Sequence, residues 1–187
     1  IFGSDVLPNS ISLSSIAPPD GFTIDGAAEQ NYVGSVGDIV DVNCDGIKDV
    51  VIGAAYAEQS ANKTDAGIVY VIFGRKSWDS IDLANESFFD GINGFRMFGE
   101  NSNDGFGFSV SGAGDVNRDG VQDFLIGAIF WTGESTVPKA GRAYLIFGKR
   151  GKWPASLNAS SIDANTGFTV SGTKWYEYIG ASVNYAG

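Results

Sequence analysis

The chain has 187 residues, 43% of them hydrophobic, with 12 basic against 22 acidic residues and no histidine. A formal charge of −10 repels phosphate backbones, so nucleic acid is excluded as a partner. The absence of histidine excludes Ser-His and Cys-His catalysis and His-ligated zinc, and a single cysteine, Cys44, excludes an internal disulfide. No apolar run approaches the ~18–20 residues of a membrane helix. The sequence starts at Ile1 with no visible signal peptide, as either a processed secretory chain or an interior fragment would.

The expected elements are short strands bounded by Gly, Asn, Asp and Pro. In chain order they fall near residues 22–24, 33–40, 50–55 and 67–73, then 95–98, 106–113, 124–130 and 142–147, and finally 168–171. Val50-Val51-Ile52 and Phe124-Leu125-Ile126 are continuous apolar runs, as strands covered on both faces require. No segment longer than about ten residues carries helical periodicity.

The strands repeat. Gly21-Phe22-Thr23-Ile24-Asp25-Gly26 recurs as Gly94-Phe95-Arg96-Met97-Phe98-Gly99 and as Gly167-Phe168-Thr169-Val170-Ser171-Gly172, at offsets of 94 − 21 = 73 and 167 − 94 = 73. Ile52-Gly53-Ala54 matches Ile126-Gly127-Ala128, and Val69-Tyr70-Val71-Ile72-Phe73-Gly74 matches Ala143-Tyr144-Leu145-Ile146-Phe147-Gly148. The fold expected is all-β: tandem four-stranded antiparallel repeats of the β-propeller-blade type, about 73 residues each, incomplete at both ends. The divisions are 1–20 (end of a preceding repeat and linker), 21–93 and 94–166 (repeats with calcium loops) and 167–187 (start of a third). Ile1-Phe2-Gly3 copies the end of Ile72-Phe73-Gly74, so the chain is expected to begin and end inside repeats. Such units need neighbours, supplied by a longer chain, by other copies or by an open stack.

Two equivalent segments carry the chemistry. Asp41-Val42-Asn43-Cys44-Asp45-Gly46-Ile47-Lys48-Asp49 matches Asp115-Val116-Asn117-Arg118-Asp119-Gly120-Val121-Gln122-Asp123, the pattern D-x-N-x-D-G-x-x-D. A hard cation such as Ca²⁺ takes six to eight oxygens, and alternating acidic residues on a curled loop supply them. The glycine at the sixth place permits the turn. One expected Ca²⁺ site uses Asp41, Asn43, Asp45, the Ile47 carbonyl and Asp49; the other uses Asp115, Asn117, Asp119, the Val121 carbonyl and Asp123. An EF-hand would need a bidentate Glu at its twelfth place, where Ile52 and Ile126 stand here.

These blocks resemble the FG-GAP repeats of integrin α-subunit propellers. The second copy fits through Phe106-Gly107-Phe108-Ser109-Val110, Gly114-Asp115-Val116-Asn117, Asp119-Gly120 and Ile126-Gly127-Ala128. The first departs, with Tyr32-Val33 set against Phe-Gly and Val40 in place of the Gly before Asp41; the Pro that follows Gly-Ala is Ala55 in the first copy and Ile129 in the second. The resemblance implies blades of a seven-bladed propeller, calcium loops joining the first two strands on one face, and ligand at the opposite face near 57–66 and 131–140.

Asn62, Asn85 and Asn158 open Asn-x-Ser/Thr sequons in expected loops and are glycosylation candidates. Trp78, Trp131, Trp153 and Trp175 suit unit interfaces better than sugar stacking, Trp131 being the best placed for exposure. Glu29, Glu58, Asp65, Glu100 and Asp104 do not repeat as a site, and no enzyme activity is expected. The function expected is a noncatalytic extracellular or cell-surface calcium-binding module for adhesion or surface-structure assembly. Its partners are other repeats, copies of itself in a homo-oligomer or filament, or a protein or glycan ligand. Two alternatives stand beside it: a subunit of a head-to-tail filament or coat completed by neighbouring copies, and an accessory repeat region of a larger secreted, phospholipase-like enzyme.

Overall fold

The computed structural model describes residues 16, 21–29, 31–37, 40–77, 79–133 and 139–185. The stretch 1–20, apart from Ile16, and Trp78 therefore lie outside the described residues. Among the described residues there are eleven strands: β1 (Ile24–Asp25), β2 (Val33–Val36), β3 (Val50–Ala54), β4 (Ile68–Ile72), β5 (Ile81–Asp82), β6 (Gly94–Phe98), β7 (Phe106–Gly114), β8 (Asp123–Ala128), β9 (Arg142–Ile146), β10 (Ser156–Asn158) and β11 (Gly167–Ser171). Helix among the described residues is confined to two 3₁₀ turns, Glu86–Phe88 and Ala159–Ser161. The chain is all-β.

Two sheets dominate. In one, β2, β3, β4 and β6 are antiparallel neighbours; in the other, β7, β8, β9 and β11 are. Each set takes its last strand, β6 or β11, from the Gly-Phe block that opens the next sequence period. The strand expected over 33–40 is shorter: it ends at Val36, and Val40 forms only an isolated bridge to Asp49.

The register corrects one alignment. Val33 pairs with Ala54 as Phe106 pairs with Ala128, so Val33-Gly34, not Tyr32-Val33, occupies the Phe-Gly place. Between Phe106 and Ser109 the second sheet carries one more residue than the first does between Val33 and Ser35. That bulge moves the offset from 73 to 74 before the acidic loop.

The two sheets share a core. Val51, Val69, Val71, Phe95 and Met97 of the first pack with Phe106, Val110, Phe124, Ile126, Tyr144 and Ile146 of the second. The other face of the first sheet buries Ile52, Ile68, Tyr70 and Ile72 against Ile81, Leu83 and Phe89 from the β4–β6 connection. Every residue of β4 is buried, as its unbroken Ile-Val-Tyr-Val-Ile run requires. Glycines set the spacing. A Cβ on Gly53 would stand 1.9 Å from the Gly107 carbonyl oxygen, and one on Gly127 would stand 1.9 Å from that of Gly180. Backbones approach here as only glycine allows.

Two parallel strands were not expected. β5 pairs with β1, and β10 pairs with the outer edge of β6. Each comes from the long connection that precedes the last strand of its own sheet, and each reaches back to the outer strand before it. Segments of two or three residues show no periodicity to read. Asn158, expected in a loop, is the last residue of β10 and lies opposite Phe98.

Candidate metal centre

The two acidic loops have the same internal geometry. In the first, the Asp45 N–H donates to Asp41 Oδ1 at 3.1 Å and to Asn43 Oδ1 at 3.0 Å. The Gly46 N–H donates to Asp41 Oδ2 at 2.9 Å, and the Ile47 N–H to Asp45 Oδ1 at 2.7 Å. In the second, Asp119 N–H donates to Asp115 Oδ1 at 3.0 Å and Asn117 Oδ1 at 3.1 Å, Gly120 N–H to Asp115 Oδ2 at 2.9 Å, and Val121 N–H to Asp119 Oδ1 at 2.8 Å. The side chains at places one and three thus converge on the backbone of place five. The asparagine amide closes the set, donating to Asp45 Oδ2 at 2.9 Å or Asp119 Oδ2 at 2.8 Å. The turns need left-handed backbone, with φ of 59° at Cys44 and 62° at Arg118, then 85° at Gly46 and 83° at Gly120.

The ninth-place aspartates brace the loops from beneath. Asp49 Oδ2 accepts from Val42 N–H at 2.8 Å and its Oδ1 from Gly74 N–H at 2.8 Å. Asp123 repeats this with Val116 at 2.8 Å and Gly148 at 2.9 Å. Both aspartates are fully buried. Burial pushes the Asp49 carboxyl up to about 7, against the hydrogen bonds from Gly74 and Val42, and the charges of Asp45 and Asp41 add to the rise. Asp123 is raised for the same leading reason. A bound cation would reverse this effect.

Among the described residues, no three His, Cys, Asp or Glu side chains stand gathered as they would around an ion. The loop carboxylates are instead turned onto N–H groups. A carboxylate oxygen that accepts one N–H keeps a further lone pair. Each loop offers only oxygen donors, three carboxylates and an amide, on a backbone already curled by its own hydrogen bonds. That donor set fits a hard divalent cation.

The loops lie side by side. Asp41 N–H donates to Gln122 Oε1 at 2.9 Å, Lys149 N–H to the Val42 carbonyl at 3.0 Å, and Cys44 Sγ to the Gly120 carbonyl at 3.8 Å. Cys44 is half-buried at this seam.

The opposite end of the first sheet carries a cleft of about 560 Å³ lined by Glu29, Asn31, Tyr32, Tyr56, Glu58 and Asp65. Three carboxylates the sequence left scattered line it, beside an edge-on pair of Tyr32 and Tyr56 with centroids 5.5 Å apart. Asn62 is exposed in the β3–β4 connection, and Asn85 and Asn158 are exposed as well.

Trp131 is not exposed. It is 8% accessible, its ring is covered by the Arg142 guanidinium at 3.5 Å, and its Nε1 donates to Glu100 at 3.0 Å. Glu100 also accepts from Arg142 at 2.8 Å and the Tyr144 hydroxyl at 3.0 Å. The first repeat lacks this network, since Ala57 and Ile68 stand at the places of Trp131 and Arg142 and only Tyr70 matches, so repetition could not signal it. Trp153 stacks on Phe95 at 4.3 Å, while Trp175 is exposed.

The FG-GAP repeat family model matches residues 106–146, which span β7 to β9 and the second acidic loop. Integrin alpha pat-2 of Caenorhabditis elegans is 38% identical over 88 residues, covering 47% of this chain and 6% of that protein. Integrin alpha-3 of Cricetulus griseus is 33% identical over 107 residues, 57% of this chain and 9% of that protein. Integrin alpha-6 of Gallus gallus is 34% identical over 91 residues, 48% of this chain and 7% of that protein. The matches thus span less than a tenth of these relatives' length. With its repeated acidic hairpin loops and glycine contacts, the chain carries an FG-GAP repeat over residues 106–146 and is similar to integrin α subunits.

Proposed function

We propose that this chain is a noncatalytic, extracellular calcium-binding repeat module that serves adhesion or the assembly of a surface structure. The observation that carries this reading is the duplicated loop. Twice, an aspartate and an asparagine converge on one backbone N–H, above a buried aspartate that ties the loop to the sheet. Calcium would be held by Asp41, Asn43, Asp45, the Ile47 carbonyl and Asp49, and by Asp115, Asn117, Asp119, the Val121 carbonyl and Asp123. Its role is structural: it offsets three carboxylates per loop and fixes the hairpin.

The family resemblance supports the rest. Two antiparallel sheets packed face to face, with each outer strand clasped by a later connection, suit adjacent blades of a propeller. The cleft of Glu29, Asn31, Tyr32, Tyr56, Glu58 and Asp65 lies at the end of the sheet away from the acidic loop, where a protein or glycan ligand would be met. Glycans on Asn62, Asn85 and Asn158 belong to the same extracellular reading, and all three side chains are accessible.

Calorimetric titration with calcium tests the proposal. Two sites with dissociation constants of order 10⁻⁴–10⁻³ M are expected. Asp45→Ala should remove one and Asp119→Ala the other. No saturable heat in the folded protein would sink the reading.

A further inference from the structure

The cleft at the end of the first sheet gathers groups that the fold does not employ. Two connections build it: Glu29, Asn31 and Tyr32 come from between β1 and β2, and Tyr56, Glu58 and Asp65 from between β3 and β4. Its volume of about 560 Å³ falls within the roughly 300–1,000 Å³ of small-molecule sites and is larger than a bare ion needs. No lysine or arginine lines it among the described residues.

Elsewhere the acidic side chains are tied. The loop aspartates accept backbone N–H groups, and Glu100 accepts from Trp131, Arg142 and Tyr144. In the cleft, no hydrogen bond or ion pair among the described residues meets the carboxylate of Glu29, Glu58 or Asp65. Three uncompensated negative charges therefore line one concavity, which concentrates their field. Asn31 is an independent sign. It is 9% accessible, yet its side-chain amide has no hydrogen-bond partner among the described residues. Native structures seldom leave a buried amide unmet, and the cleft that Asn31 lines is where a partner can reach it. Tyr32 is 73% exposed and held at φ 45°, a left-handed backbone unfavourable for a bulky residue. Its ring and that of Tyr56 meet at 71°, which leaves an aromatic face open beside the carboxylates.

What each group can exchange defines the ligand. Ionised carboxylates only accept, so they require O–H or N–H donors, and three together favour a positive charge. The Asn31 amide both donates and accepts, which an ammonium cannot answer and a hydroxyl can. An exposed tyrosine face takes the apolar side of a ring or a cation. A rigid ring that bears both hydroxyls and an ammonium meets all three demands.

We propose that this cleft binds an amino sugar, a hexosamine unit of a glycan whose amine is free. The ammonium lies among Glu29, Glu58 and Asp65, hydroxyls meet Asn31, and the ring packs on Tyr32. The proposal rests on the reading of this end of the sheet as the ligand end, and it stands apart from calcium in the acidic loops at the other end.

Titration of the calcium-loaded whole chain with glucosamine, followed by ¹H–¹⁵N NMR, tests this. The Asn31 side-chain amide signals should shift saturably, with a dissociation constant of order 1 mM. Glucose lacks the charge, N-acetylglucosamine has it capped, and lysine amide carries charge without hydroxyls; each should bind at least about fivefold more weakly. Glu58→Gln and Asp65→Asn keep the shape and remove one charge, so each should weaken glucosamine about two- to fivefold and leave the weak binding of glucose unchanged. Tyr32→Ala should weaken both sugars. Signals away from the cleft report whether a variant is folded, and Glu29→Gln, on an exposed side chain, replaces any that is not. An Asn31 amide that does not move, glucose or N-acetylglucosamine binding as tightly as glucosamine, or calcium alone shifting this amide would each overturn the proposal. So would lysine amide binding as tightly, which would make the cleft a seat for basic protein side chains. Repetition in EDTA separates the two readings: glucosamine binding that persists in a protein showing no calcium binding would sink the metal sites and leave the cleft standing.

Discussion

Withdrawal of calcium from the two proposed sites should loosen both acidic loops first. Each loop holds three carboxylates, of which Asp49 and Asp123 are fully buried and tied to the sheet. A ligand that binds only the folded state stabilises it by RT ln(1 + [L]/Kd). With constants of order 10⁻⁴–10⁻³ M for an extracellular module, about 2 mM calcium contributes about 0.7–1.8 kcal/mol per loop. Two loops together give about 1.3–3.6 kcal/mol. A domain of this size shifts its midpoint by about 2–4 °C per kcal/mol, so melting should rise by roughly 3–14 °C on going from EDTA to calcium. Thermal melts followed by circular dichroism measure this directly. Magnesium should do less, since it keeps its waters and takes few protein ligands. Asp45→Asn should remove about half of the calcium shift and leave the EDTA melt little changed. Melts that coincide within about 1 °C in calcium and EDTA would refute both the sites and the structural role assigned to them.

Three further outcomes follow from the packing. Gly127→Ala drives a Cβ into the Gly180 carbonyl and should cost about 3 kcal/mol or more in urea denaturation, whereas Gly151→Ala, at φ 88° with open space around it, should cost only about 1 kcal/mol; equal costs would show that the close approach does not matter. Glu100→Ala leaves the Arg142 charge unpaired and the Trp131 and Tyr144 donors unmet, an expected loss of about 3 kcal/mol, and a loss below about 1 kcal/mol would mean that water replaces the carboxylate. Burial pushes the Asp104 carboxyl up to about 6, so the folded state holds this proton more tightly than the unfolded chain does. Its contribution is therefore full below about pH 4 and is lost as pH rises through 6, by up to about 3 kcal/mol. Asp104→Asn should flatten that part of the stability–pH curve, and an unchanged slope would assign it to another group.

Much of this was legible in the sequence because each repeated residue does the same job in each unit. The strands appeared where β-branched and aromatic runs met Gly and Asp boundaries. The acidic loops appeared because a curled oxygen-donor loop needs its residues at alternate places. What was not legible arises between unlike positions. Glu100 looked isolated because its partners, Trp131, Arg142 and Tyr144, are distant in sequence and the first two are unmatched in the first repeat. The cleft of Glu29, Glu58 and Asp65 is assembled by two connections at one end of a sheet, and neither segment announces the other. β5 and β10 are too short for any period. Trp131 was misjudged because its place at the start of a loop says nothing of the Arg142 side chain laid across it.

The hallmark glycines explain why the repeat is readable at all. Gly53, of the Gly-Ala block in the first unit, meets Gly107, of the Phe-Gly block in the second. Gly127, of the second Gly-Ala block, meets Gly180, at the corresponding place in the third. The two dipeptides are therefore the two halves of one contact, displaced by a unit. A Cβ on either side would meet backbone, which cannot rotate away as a side chain can. Every internal unit must then carry both halves, one for the neighbour on each side. The same displacement governs the clasping strands, where the connection of one unit covers the outer strand of the unit before. Neither the glycine pair nor the clasp can be completed within a single unit, so a unit is stable only in company, and the period in the sequence records contacts made between units as much as within them.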